Sequence, residues 1–362
     1  MRNFFYIKAL WAGVKSPVPE DCRHKTMIQS QRIRQMGILW LSILCLGMSL
    51  LCLAGCGRKD GEESALVRVG SMKGPTTLGL LPLMEHHQDG EAEGSYQITV
   101  VTTADELLPM VIRKELDIAL VPANVAAVLY ERTEGQVAVI DINTLGVLYM
   151  VSGDTSVESM ADLKGRTIYL TGKGTTPDFV LQYLLAANGV GLDQVTLEYK
   201  SEATEVAVLL ANEPDAVGVL PQPFSTAACA QNKALAEVLD LTAQWQQVQE
   251  EGGSSLVTGV TVVRKGFLEE HSAAVELFMA EHAASAAYVK ENVEAAAALA
   301  VEAGIIAKES LAVKALPKCN ITYLDGKEMR QALEGYLKVL YELSPEAVGG
   351  KLPGEEFYYE KK

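Results

Sequence analysis

The chain has 362 residues, 49% of them hydrophobic and 6% aromatic, and a formal net charge of −15. That length suffices for two lobes with cores of their own. So acidic a chain argues against binding nucleic acid, which depends on neutralising phosphates with Lys and Arg, and against a polybasic membrane patch.

The first recognisable element is an export segment. Arg32 and Arg34 precede an uncharged stretch, 36–54, rich in Leu, Ile and Met, and ending in Leu53-Ala54-Gly55-Cys56. A basic start, an apolar middle and small residues at the exit form the pattern of a cleaved signal. Nineteen such residues would also suit a membrane anchor, but a cysteine directly after Leu-Ala-Gly favours processing. Those four letters resemble the lipobox of bacterial lipoproteins, which implies cleavage before Cys56 and a diacylglycerol on its sulfur. Residues 1–26 lie upstream of an ideal start at Met27 and receive no fold. Residues 56–65 read as a polar, lipidated tether. Residues 1–55 hold seven of the 31 Lys and Arg and two of the 46 Asp and Glu, so the processed chain carries −20.

Beyond the tether, strands and helices alternate, the signature of mixed, mostly parallel sheets flanked by helices. Strands are predicted over 66–70, 96–102, 116–121, 137–143 and 145–151. Helices are predicted within 76–88, with Pro82 in a first turn, and over 105–114 and 123–132. Strands at 167–170, 195–199 and 216–220 enclose two further helices. The earlier of these starts with Thr176 as N-cap and Pro177 at the first helical position, and stops near Asn188-Gly189. The other spans 205–212. Residues 244–255 are polar, 256–263 return as a strand, and from Phe267 the chain is mostly helical, over 272–289, 293–303, 311–317 and 328–343. These patterns predict an α/β fold of two lobes, 66–149 with 257–362 and the inserted 150–256, joined by two crossings that suit hinge closure on a ligand.

The two lobes repeat one another. Ser71-Met72-Lys73-Gly74-Pro75-Thr76-Thr77 follows the first strand, and Thr171-Gly172-Lys173-Gly174-Thr175-Thr176-Pro177 follows its counterpart. Each lobe then reaches a strand ending in proline, at Pro122 and Pro221, 49 and 48 positions after its lysine. Four loops at strand carboxyl ends therefore form the candidate binding site. They contribute Lys73, Gly74, Pro75, Thr76 and Thr77; Pro122, Ala123 and Asn124; Lys173, Gly174, Thr175 and Thr176; and Gln222 with Pro223. Glycine admits close backbone approach, Thr and Asn read polar edges, and proline limits the entropy lost on ordering the loop. Each residue also has a purely structural reading: a threonine can cap its helix, a loop lysine can stay solvated, and Asn124 can satisfy its own turn. With aromatics scarce and Trp245 the sole tryptophan past residue 55, a small polar or anionic solute fits better than a sugar or quaternary ammonium. Flat heteroaromatic rings stay possible.

No catalytic or metal constellation emerges. Gly172-Lys173-Gly174-Thr175 lacks the spacing of a phosphate loop, and His86-His87 diverge on a helix. Cys229 and Cys319 read as buried free thiols in different lobes, and neither a cofactor nor a metal is expected.

Several segments in order, Leu107-Leu108-Pro109-Met110, Glu115-Leu116-Asp117-Ile118-Ala119, Val121-Pro122-Ala123-Asn124, Ala161-Asp162-Leu163-Lys164-Gly165-Arg166-Thr167-Ile168, Pro221-Gln222-Pro223-Phe224 and Arg264-Lys265-Gly266-Phe267-Leu268, carry a resemblance. The chain resembles the substrate-binding lipoproteins of ABC importers, in the broad nitrate, sulfonate, taurine and thiamine-precursor family. It departs at Gln222, where members often carry an acid. The resemblance implies a two-lobed periplasmic-binding-protein-like fold of the second topology, without catalysis, anchored outside the cytoplasm at the cell membrane through Cys56. It would be a monomer that delivers a small solute to an ABC permease and its ATPase and binds no nucleic acid. An enzyme on the same fold, of the quinone or pyrimidine biosynthesis type, and a lipoprotein ligand sensor are the alternatives.

Overall fold

A computed structural model of the chain describes residues 65–213, 215–250 and 253–361. The export segment, Cys56 and the tether up to residue 64 lie outside them. In chain order the elements are β1 (Val67–Met72), α1 (Pro75–Leu78), α2 (Leu81–Asp89), β2 (Tyr96–Val101), α3 (Ala104–Ile112), β3 (Ile118–Pro122), α4 (Ala123–Arg132), β4 (Val137–Leu145) and β5 (Leu148–Ser152). Then come β6 (Thr167–Thr171), α5 (Thr176–Ala187), β7 (Thr196–Lys200), α6 (Ala203–Asn212), β8 (Val217–Pro221), α7 (Phe224–Gln231), β9 (Ala236–Asp240) and α8 (Leu241–Gln247). The chain closes with β10 (Val257–Arg264), α9 (Lys265–Glu270), α10 (Ser272–Glu291), α11 (Val293–Glu302), α12 (Glu309–Ala315), β11 (Ile321–Leu324) and α13 (Gly326–Leu343).

The strands form two sheets, ordered β11-β4-β10-β3-β1-β2 and β7-β6-β8-β5-β9. The sequence repeat becomes a repeat of topology. β1 sits between β2 and β3, parallel to both, as β6 sits between β7 and β8. Against the third strand of each trio runs an antiparallel strand, β10 on β3 and β5 on β8. Each of these has just arrived from the other sheet: the chain leaves the first sheet between Leu145 and Leu148 and re-enters it at Val257.

One apolar core runs under both sheets. The C-terminal helix α13 joins them. Its buried residues Met329, Ala332, Leu333, Tyr336, Leu337 and Leu340 recur every three or four positions, the spacing of one helical face. Tyr336 stacks on Trp245 at 5.6 Å, and Trp245 on Tyr183 at 4.5 Å, so α13, α8 and α5 meet through three aromatic rings. Trp245 is fully buried, and its Nε1 donates to Ser254 Oγ at 3.1 Å, which satisfies the indole's single polar atom.

Most predicted elements lie within two or three residues of their observed bounds, and Pro82 stands in the first turn of α2. The cap of α5 is a correction: Thr175, not Thr176, precedes the helix, and Thr176 is its first residue ahead of Pro177. β9, α8, α7 and β11 were not predicted. β9 and β11 are sheet-edge strands of five and four residues. They are too short to show a period, and half-buried edges leave little alternation to read.

Asp117 anchors the first sheet at the amino end of β3. Its carboxylate accepts from Arg68 Nη2 at 2.6 Å and Nε at 2.8 Å, from the Arg68 backbone N–H at 3.0 Å, and from Arg264. Burial opposes its ionisation, yet the bonds from Arg68 and Arg264 prevail and hold the carboxyl below its ordinary value of 3.8. A depressed folded value means that the stabilisation is present above the unfolded value and is lost as pH falls through the folded one. We predict that Asp117→Asn costs about 3 kcal/mol in urea unfolding at pH 7, by stranding two guanidinium groups. The deficit against wild type should shrink below pH 3.8; a constant deficit across that range would show that the charge is irrelevant.

Candidate ligand-binding site

A cavity of about 750 Å³ opens between the two sheets, where the carboxyl ends of β1, β3, β6 and β8 converge. That volume falls within the roughly 300–1,000 Å³ of ordinary small-molecule sites. Of the fourteen residues singled out by sequence, nine line it: Lys73, Gly74, Pro75, Pro122, Asn124, Thr175, Thr176, Gln222 and Pro223. Thr76, Thr77, Ala123, Lys173 and Gly174 do not.

The loop after β1 is bent by Gly74, whose φ of 152° and ψ of −160° belong to a region open only to glycine. The bend turns the threonines inward, under the loop. Thr76 Oγ1 donates to the Met72 carbonyl at 3.2 Å, and Thr77 Oγ1 donates to the same carbonyl and lies 2.7 Å from Ser71 Oγ. Both hydroxyls are spent on their own turn. Lys73 stays exposed, with its Nζ beside Gly304 on the far wall. Ala123 is buried in the core, while Asn124 and Val125 at the start of α4 face the cavity.

The second twin loop is rotated relative to the first. Lys173 Nζ lies over the Tyr199 ring, 5.4 Å from its centroid, on edge strand β7. Gly174 N donates to Asp178 Oδ2 at 2.8 Å, and Asp178 Oδ1 accepts from Gln182 Nε2 and Tyr199 Oη at 2.7 and 2.8 Å. This buried carboxylate pulls the Lys173 end of the loop off the cavity and leaves Thr175 and Thr176 facing it. Thr175 Oγ1 donates to the Gly172 carbonyl at 2.5 Å. Neither α4 nor α5 has a side-chain cap, so both helices present uncapped N-termini at the seam.

Thr176 crosses the seam. Its Oγ1 donates to Asn124 Oδ1 at 3.4 Å, and Asn124 Nδ2 donates to the Ala347 carbonyl, also at 3.4 Å. Both bonds sit at the long limit of useful geometry. Behind Thr176 lies Tyr336, wholly buried. Burial raises its hydroxyl above the ordinary phenol range, the neighbouring Thr176 side chain acting the other way, so the hydroxyl is neutral. It forms no hydrogen bond of normal geometry despite that neighbour.

Gln222 lines the cavity through a cis peptide to Pro223. Its amide is engaged: Nε2 donates to Glu237 Oε1 at 2.9 Å and Oε1 accepts from Thr226 Oγ1 at 2.8 Å. Glu237 also accepts from Ser225 Oγ at 2.9 Å and pairs with Lys318. Tyr149 Oη in turn donates to the Lys318 carbonyl at 3.2 Å. The Gln222 loop is thus tied to the opposite lobe.

Sequence reading missed the apolar wall. Val125, Val147, Leu148, Pro177, Pro221, Phe224, Ala227, Ile305, Ile306, Ala307 and Leu311, with the polar Thr258, complete the lining, and Lys73 is the single titratable residue in it. The signal was present at Gly304-Ile305-Ile306, where two large aliphatics follow a left-handed glycine, φ 64°, that ends α11. Ile306 packs into a cluster with Ala297, Ala300 and Ala312, while Ile305 beside it stays half-buried at the cavity. Cys229 and Cys319 are free thiols, as expected; Cys319 is buried and Cys229 half-buried. Burial pushes the Cys319 thiol up to about 12 and also raises that of Cys229, so both stay protonated and unreactive. No group of His, Cys, Asp and Glu among the described residues is arranged to hold a metal.

Comparison with known proteins agrees with this architecture. A family model described as menaquinone biosynthesis matches residues 80–342. An ABC transporter protein of Parabacteroides distasonis superposes with a TM-score of 0.69 at 24% identity, over 82% of this chain and 99% of that one. The periplasmic aliphatic sulphonate binding protein SsuA of Escherichia coli gives 0.65 at 13% identity, over 82% and 92%. At these identities the likeness is one of fold: two lobes of the periplasmic-binding-protein type. A Brucella abortus protein described as a binding protein is 31% identical over 91 residues, 25% of this chain. The chain spans 28% of the length of that curated relative.

The Lys318–Glu237 pair should hold the lobes together measurably, because Glu237 is largely buried while Lys318 keeps 43% of its surface in water. Lys318→Ala should lower stability by about 1 kcal/mol in thermal unfolding. Arg113→Ala breaks a pair exposed on both sides, 58% and 48%, and should cost nearly nothing. Equal effects would remove the lobe-joining interpretation.

Proposed function

The chain belongs to the family described as menaquinone biosynthesis and has the two-lobed fold of ABC-transporter binding proteins, and from that premise we propose that it is an extracytoplasmic solute-binding protein of an ABC importer. It captures a small solute between its lobes and presents it to the permease and ATPase. The lipobox-like Leu53-Ala54-Gly55-Cys56 supports anchoring at the cell membrane by a lipid on Cys56, and the anchored protein acts as a monomer.

The observation that carries this reading is the lining of the cavity. Walls from both lobes meet in it, and Lys73 is its sole titratable side chain. A lone lysine offers no acid–base pair, whereas contacts to both lobes give the differential affinity that closure requires. The lining also sharpens the solute class. Isoleucines 305 and 306, Leu148 and Phe224 favour an apolar body, and Lys73 with Asn124 and Thr176 favours one polar or anionic end. An amphipathic solute therefore fits better than a compact polar ion such as nitrate.

A second reading, an enzyme on the same fold, is favoured by the name of the matching family. The two part on the fate of the bound molecule. A solute carried through purification should be recovered unchanged after release and mass spectrometry, while recovery of a chemically altered product would favour the enzyme. For the cavity itself, the apolar fluorophore N-phenyl-1-naphthylamine should brighten on binding the purified protein, and Ile305→Glu, at a half-buried position of the lining, should abolish the signal. Lys73→Ala should weaken 4-phenylbutyrate, read by displacement of the fluorophore, about tenfold. Lys173→Ala should leave it unchanged. A fluorophore indifferent to Ile305→Glu would place binding elsewhere.

A further inference from the structure

The polar end of the cavity is built more specifically than the proposed function requires. Three observations meet at one spot. α4 and α5, of ten and twelve residues, both start there without a side-chain cap. Thr176 and Asn124, one from each lobe, touch only through a 3.4 Å bond. Directly behind Thr176, the wholly buried Tyr336 hydroxyl forms no hydrogen bond of normal geometry. A buried hydroxyl without a good partner costs about 1–3 kcal/mol, and so is informative where it persists.

We propose that Asn124, Thr176 and Tyr336 form a relay subsite for the acceptor oxygen of a carboxylate-type head group, with Tyr336 as a positioning residue that acts through Thr176. The inference rests on the reading that the cavity holds a solute. In the relay Thr176 Oγ1 turns its proton from Asn124 Oδ1 to the solute oxygen, and its own lone pair then accepts from Tyr336 Oη. Each donor polarises the next, and the uncapped starts of α4 and α5 lie at the same end of the cavity. Nothing is transferred; each proton stays on its own oxygen. The weak starting bond between Thr176 and Asn124 makes the exchange inexpensive, and it links the two lobes through the solute.

Charge limits the head group. Asp178 stands in the first turn of α5, its carboxylate held by Gly174, Gln182 and Tyr199 rather than directed at the cavity. It offsets part of the positive end of α5, and Lys73 is the one cation in the lining. One negative charge is accommodated; a dianionic phosphate is not. The apolar wall at Ile305 and Ile306 takes the other end of the molecule.

The test uses three probes on the purified protein: N-phenyl-1-naphthylamine for the cavity, and 4-phenylbutyrate and 4-phenylbutylamine as its competitors. The latter two share an apolar body and differ in whether the head accepts or only donates. Tyr336→Phe should weaken 4-phenylbutyrate about tenfold and leave the fluorophore and the amine unchanged. Thr176→Val, of similar shape, should do the same, so that the outcome does not hang on one variant's folding. Loss of all three probes alike in both variants, or of none, would overturn the relay while leaving the cavity reading intact. If the fluorophore fails to bind wild type, the cavity reading falls and the relay with it.

Discussion

The structure depends on one packing constraint: two sheets, each with an apolar cluster of its own, also share one core. α13 lies across both, and the Tyr183–Trp245–Tyr336 ring series ties α5 and α8 to it. A fully buried tryptophan of that size contributes as much as any side chain in the protein. By tying the lobes together behind Thr176, it leaves the carboxyl ends of β1, β3, β6 and β8 to meet at the cavity. The cavity follows from that convergence.

Its chemistry follows from how each strand ends. β3 and β8 both finish in proline, with helices starting directly beyond, so the backbone is stiff where it meets the solvent gap. Polar capacity is then divided. Gln222, Thr76 and Thr77 are committed to internal bonds, whereas Asn124 and Thr176 are held loosely and Lys73 has open solvent before it. The rest of the wall is apolar but for Thr175 and Thr258. Such a surface orients a molecule and excludes water from its body. The uncommitted polar groups lie together, at the junction of the lobes, where a bound molecule has most leverage over their closure.

The sequence was legible where a physical signal repeats. Alternating strands and helices, the twin Lys-Gly turns and the strand-ending prolines located both parallel trios and nine of the fourteen candidate residues, because strand ends and helix starts have local chemistry. Direction within a loop was not legible. Lys73 and Lys173 stand at equivalent positions, yet Lys173 turns away because Asp178, itself bonded to Tyr199 and Gln182, captures the amide of Gly174. That depends on a residue of β7, more than twenty positions away. The isoleucine wall was hidden for a similar reason: Ile305 and Ile306 gain meaning only when α11 is seen to end beside the loops of the other lobe. Edge strands β9 and β11 left no period to read.

The central claim is that one molecule touches both lobes at this seam. Amide-resolved NMR of the purified protein during titration with N-phenyl-1-naphthylamine tests it most directly. Shifts should appear together at Gly74 and Asn124 of the first lobe, at Thr176 and Phe224 of the second, and at Ile305 and Ile306. Shifts confined to one lobe, or gathered on the outer face around Arg166 and Tyr169, would contradict it.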